Sequence, residues 1–180
     1  MLPLIKVCLS RTTGFLILAT VILAVAETQS LAEQPAEVSQ RESLRGISGV
    51  EVIVEPLNIE LEELGLQTQK LQQDVKHRLQ KAGLKVLTAR ERLASSAAAT
   101  LVVRVDALHD RIARFFYSID LLILQRVDLG GRATPEVVAA TWMKLGAVTV
   151  IADDKVTHIG DQVTHKVDQF IKDYVAGNPQ

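Results

Sequence analysis

Residues 115–129, FFYSIDLLILQRVDL, repeat with a period of two, and the rest of the chain has to be arranged around them. Phe115, Tyr117, Ile119, Leu121, Ile123, Val127 and Leu129 are apolar, with Gln125 the one exception at odd positions. The even positions mix Ser118, Asp120, Arg126 and Asp128 with Leu122 and Leu124. A helix would need its apolar residues three and four apart, whereas this run alternates and is rich in the aromatic and branched side chains that suit a pleated surface. It predicts the longest and most central strand of a small sheet, with one face apolar along its length.

The flanking segments supply its partners. In 100–110, Leu101, Val103, Val105 and Ala107 alternate with Thr100, Arg104 and Asp106, and 110–114 (DRIAR) is short enough for a hairpin into the central strand. Gly130-Gly131 through Pro135 marks a second turn into a strand at 136–145, with Gly146 ending that strand or placing a bulge in it. These three strands form an antiparallel meander. Upstream, Val50, Val52 and Val54 alternate with Glu51, Ile53 and Glu55 before Pro56 ends the strand. Leu71, Val75, Leu79 and Ala82 then make an amphipathic helix over 68–82, with Thr68 as its amino-terminal cap and Gly83 at its carboxy-terminal end. A short strand at 84–87 completes a βαβ unit, whose crossover is right-handed. Residues 93–99, LASSAAA, read as a loop. Val156, Ile159, Val163, Val167, Phe170 and Tyr174 define a last helix, capped by Asp153 or Asp154 and ended by Asn178-Pro179. The fold expected is α/β (α+β): a two-layer sandwich with a mixed sheet of about five strands and the helices on one face.

Residues 1–32 have the order of a secretory signal: Lys6 and Arg11, the charge-free run GFLILATVILAVA at 14–26, then small residues suited to cleavage after Ala26 or Ala32. A retained anchor is the alternative, but spanning a bilayer needs about 20 apolar residues. The one cysteine, Cys8, precedes the apolar run and so is not placed for lipidation; it leaves with the signal, and disulfides and cysteine chemistry leave with it. Residues 33–43 are polar with no apolar period and read as a flexible linker, so a single domain is expected over 44–179. With 20 basic and 21 acidic side chains and no basic block, nucleic acid is not an expected partner.

Candidates for chemistry are sparse. His158, Asp161, His165 and Asp168 share one helical face at ligand spacing, but that face lies opposite the apolar stripe and points to solvent. Asp106, Asp120 and Asp128 fall on the even face of the strands together with Arg104 and Arg126, where cross-strand ion pairing accounts for them without catalysis. His77 and His109 stand alone, and Ser95-Ser96 lies in the alanine-rich loop. No catalytic residue, metal ligand or cofactor is expected. The even face does leave Val102, Leu108, Leu122 and Leu124 uncovered among Arg104, Asp106, Ser118 and Asp120. Trp142 joins them if the strand from 136 keeps its parity, and turns inward if it does not. Arg104, Asp106, Asp120, Leu122, Leu124 and Trp142 are therefore the residues expected to meet a partner.

The stretches LRGISGVEVIVEPL (44–57), YSIDLLILQRVDL (117–129), Thr141-Trp142 and VDQFIKDYVAGNP (167–179) resemble a family of uncharacterised exported bacterial proteins, which brings no assigned activity and no site residues. The strand and helix order is also similar to the amino-terminal domain of the TolB translocation protein and related envelope-assembly domains. No β-propeller follows here, so what that domain does within TolB is not carried over. The resulting expectation is a non-enzymatic periplasmic interaction domain, without a membrane span once cleaved, that binds an envelope protein or peptide or associates with itself. The alternative is a carrier or sensor of a lipid or other apolar ligand, and a hydrolase using the even-face acids is a third.

Overall fold

The computed structural model describes residues 35–110, 112–128, 130 and 137–179. The expected signal at 1–32 and the turn at 131–135 lie outside them. The chain divides into two compact units, 1–38 and 39–180, and the sheet with its packed helices belongs to the second. In order, the elements are α1 (Pro35–Glu42, which ends in that unit), β1 (Gly49–Val54), α2 (Ile59–Glu63), α3 (Thr68–Lys81), β2 (Val86–Leu87), α4 (Ala89–Ala94), β3 (Ala98–His109), β4 (Arg114–Val127), β5 (Val137–Lys144), β6 (Thr149–Ala152), a 3-10 turn (Asp153–Lys155) and α5 (His158–Gly177).

The six strands form one mixed sheet in the order β2-β1-β3-β4-β5, with β6 also on β4. Strands β2 and β3 both run parallel to β1, which is the βαβ arrangement, and β3, β4 and β5 form the antiparallel meander. β5 pairs with Leu121–Val127 and β6 with Arg114–Tyr117 along the same edge of β4, so together they are two halves of one edge strand, interrupted at 145–148. Gly146 sits in the interruption and its N–H donates to the Asp120 carboxylate at 2.8 Å. Of the two outcomes expected at this glycine, the end of the strand or a bulge in it, the first is found: β5 ends at Lys144, and one more strand segment follows after 145–148.

The odd positions of β3 and β4 and the valines of β1 face the two long helices. Leu71, Val75 and Leu79 of α3 and Ile159, Val163, Val167 and Phe170 of α5 close over Val50, Val52, Leu101, Val103, Ile119, Leu121 and Ile123 in one continuous core. Each such side chain contributes about 1.5–3 kcal/mol by leaving water. Gly83 ends α3 in the left-handed region at φ +83°, where a side chain is strained, and lets Leu84 N–H reach back to the Leu79 carbonyl at 3.0 Å.

Four local expectations are corrected. Residues 33–43 are not a bare linker, because 35–42 are helical; the Gln40 side chain accepts from Met143 N–H (3.1 Å) and the Ser43 hydroxyl donates to the Thr141 carbonyl (2.8 Å). This segment has no apolar stripe because its use is to satisfy the outward backbone of edge strand β5, not to bury a face. Residues 89–94 form α4 and 98–99 already belong to β3, which leaves only 95–97 of the loop expected at 93–99; α4 is started by a capping box in which Glu91 N–H donates to the Thr88 hydroxyl and the Glu91 carboxylate accepts from Thr88 N–H. Thr68 does not cap α3: its hydroxyl donates to Glu62 at 2.7 Å and accepts from Leu57 N–H at 3.2 Å. Neither Asp153 nor Asp154 caps α5, whose N-cap is Thr157 with no side-chain bond; the Asp153 carboxylate instead meets His109 Nε2 at 3.0 Å, with the imidazole stacked on Phe115.

Candidate functional site: the open face of the sheet

Among the described residues, the face turned away from α3 and α5 is covered only at one end. There α4 lies across β1 and the start of β3, its Arg92 Nε 3.4 Å from the Glu51 carboxylate and its Leu93 carbonyl accepting from Arg126 at 3.1 Å. Leu87, Ala98 and Thr100, which share this face, are buried at that end. Beyond α4 the face is open.

Strand register sorts the open part into rows. Ile53, Val102, Leu122 and Met143 are successive cross-strand partners on four strands, with Ile53 and Met143 exposed at the ends and the middle two better shielded. A second apolar row, Leu108, Phe116 and Val150, crosses β3, β4 and β6, all three exposed. Charge lies between them. Arg104 is opposite Asp120, and Asp106 is opposite Ser118. Arg104 gives its guanidinium to Glu55 of the neighbouring strand, Nε at 2.8 Å and Nη2 at 2.9 Å. That bidentate bond holds the Glu55 carboxyl below its ordinary range and raises the guanidinium in turn. Asp120 spends its carboxylate on the Gly146 N–H, in the break between β5 and β6.

Of the residues expected to form a contact face, Arg104, Asp106, Asp120, Leu122 and Leu124 are brought together on this side. Trp142 is not. Its partner across the ladder is Ile123 while that of Leu124 is Ala140, so Thr141 is an extra residue that reverses the parity of β5 partway along. Val138 and Ala140 therefore share the open face, whereas Trp142 is 2% exposed beneath α5, edge-on to Phe170 at 5.1 Å, with its indole N–H donating to Asp173 at 3.2 Å. Ile53, Phe116 and Met143 belong to the face instead; strand parity alone would have placed the first two.

The polar side of α5 is divided among separate contacts. Asp168 takes Arg78 of α3 in a bidentate pair, with Nε at 2.6 Å; His165 meets the Gln169 amide at 3.1 Å; His158 and Asp161 are exposed. Among the described residues no group of three or more His, Cys, Asp or Glu is placed to hold a metal ion. The hydrogen bond and charge of Arg78 lower the Asp168 carboxyl below its ordinary value. A lowered carboxylate stabilises the fold in full above its unfolded value, about 4, and ceases to do so as pH falls through the lowered one. Asp168→Asn should therefore melt slightly below wild type at pH 7, by less than about 1 kcal/mol because both partners are half exposed. The two melting curves should converge as the pH falls through that lowered value, and a gap that persists in stronger acid would assign the loss to packing.

Among the described residues, one depression of about 570 Å³ is lined by Pro56, Glu62, Gln67, Thr68 and Gln69, and another of about 130 Å³ runs between α3 and α5 past Lys70, Asp74, Asp161 and Thr164, so that neither has mostly apolar walls. An apolar ligand needs mostly apolar walls. Among the described residues no helix is long and apolar enough to cross a membrane.

No family model and no curated protein matches the chain, so neither resemblance read from the sequence is shown. Among solved structures the chain is similar to a minor lipoprotein from Acinetobacter baumannii at 10% identity, over 69% of this chain and 94% of that one, with a TM-score of 0.27, too low to establish a common fold.

Proposed function

We propose that the protein is an exported, non-enzymatic interaction domain of the bacterial cell envelope that binds an envelope protein or peptide through the open face of its sheet. The observation that carries this is the pair of apolar rows, exposed at Ile53 and Met143 in one and at Leu108, Phe116 and Val150 in the other, on either side of a charged belt, on a sheet whose opposite face holds the core. The basic start and short apolar run of residues 1–32 support export to the envelope. The test is capture from envelope extract on the immobilised mature chain. One partner should be retained by wild type and by a Lys70→Ala control, and lost on Met143→Asp, with the melting temperature of each variant checked first. Equal retention on folded Met143→Asp would remove the face from the reading.

A further inference from the structure

We infer that the occupant of this face is an amphipathic helix of another protein that carries lysine or arginine between two apolar patches. This rests on the proposal that the face is a contact surface, and adds what it contacts. The two apolar rows cross β3 at Val102 and Leu108, six residues and about 20 Å apart along the strand. That is the length of about 13 helical residues. A sheet face offers no free backbone groups, so a chain lying on it has to satisfy its own, as a helix does.

The belt between the rows decides the charge. It holds Glu55, Arg104, Asp106 and Asp120, and Arg104 is already committed to Glu55, so the open face is net acidic at its centre. Lys144, level with Leu121, and Lys166 of α5 lie on the helix side of the sheet, where Lys166 feels the charge of Asp120, while Asp106 and Glu55 have no lysine beside them among these contacts. Covering the belt with apolar side chains alone would strand carboxylates away from water, which is costly unless the partner supplies a cation. A second copy fits poorly for two reasons. It would set acid against acid, and an open area of about 20 by 19 Å across four strands is about half the ~800 Å² per partner of a stable interface.

The probes are two labelled 18-residue helical peptides, alike in having leucines at both ends of one face, with two lysines or two glutamates at the middle of that face. Fluorescence anisotropy with the mature chain should show the lysine peptide binding at least tenfold more tightly. Asp106→Asn should shrink that ratio about threefold, whereas Glu63→Gln, an equal charge change at an exposed position of α2 outside the belt, should leave it unchanged. Leu108→Gln should weaken both peptides. Equal affinity for the two peptides, no binding of the lysine peptide, or equal effects of Asp106→Asn and Glu63→Gln would each overturn the inference. So would a dimer in sedimentation that Leu108→Gln dissociates. If the peptides fail while capture from extract is still lost on Met143→Asp, the face stands and its occupant has been misassigned; if both fail, so does the contact surface itself.

Discussion

Phe170→Ala should destabilise the protein by about 3–5 kcal/mol, a large share of the roughly 5–15 kcal/mol that holds a domain of ordinary size. The side chain is fully buried where α5 meets the sheet, between the edge-on indole of Trp142 and Tyr174, whose ring centroid is 6.3 Å away. Removing it leaves a cavity that the helix cannot close by shifting. Two contacts pin this end of α5: the Trp142 indole bonds Asp173, and the Tyr174 hydroxyl donates to the Ile47 carbonyl at 3.1 Å. The aromatic contact adds about 0.5–1.5 kcal/mol beyond the area term. Trp142 is the chain's one tryptophan, so its emission reads this place alone. It should be blue-shifted and shielded from acrylamide in the wild type, and shift red and become quenchable in the variant. Loss below about 1 kcal/mol in urea, with unchanged emission, would mean that Phe170 and Trp142 do not pack together.

Periodicity carried the parts of the fold that bury a continuous stripe. β4 was legible because it is apolar on one face at every position but Gln125, and α3 and α5 because their stripes meet that face. What escaped lacks a stripe. α1 is polar because it serves the backbone of β5, and α4 is a short helix whose signal was chemical, the Thr88 and Glu91 spacing of a capping box, and not periodic. The open face was legible as far as strand parity held. It failed at Trp142 because one extra residue, Thr141, turns the strand over, and a valine- and alanine-rich segment reads equally well in either parity. His109 and Asp153 show the same limit: 44 residues separate them, and nothing local tells that a hairpin and the broken edge strand bring them together.

Gly146→Ala should detach β6. The conformation of Gly146 is not left-handed, so the objection is purely one of space: an added Cβ would lie 2.5 Å from the Ile119 carbonyl oxygen and 2.8 Å from its nitrogen. Those are backbone atoms of the central strand, with no rotamer to yield. β4 is fixed on its other edge by an unbroken ladder to β3, so the cheaper response is for the chain at 145–148 to lift away. Lifting breaks the Gly146 bond to Asp120, then the pairing of Thr149–Ala152 with Arg114–Tyr117, and it strains the His109 bond to Asp153 beyond. Crowding of this kind costs about 1–3 kcal/mol, and an acceptor left without its donor adds to it. Hydrogen exchange should quicken in peptides covering 114–117 and 149–152 while those covering α3 stay protected. Asp120→Asn, which keeps an oxygen acceptor for Gly146, should change exchange far less. The contact face is affected too, because Val150 completes the row of Leu108 and Phe116: Gly146→Ala should weaken the lysine peptide while leaving the protein folded. Unchanged melting and exchange in Gly146→Ala would show that β4 itself gives way, and that the two halves of the edge strand are held more loosely than their register implies.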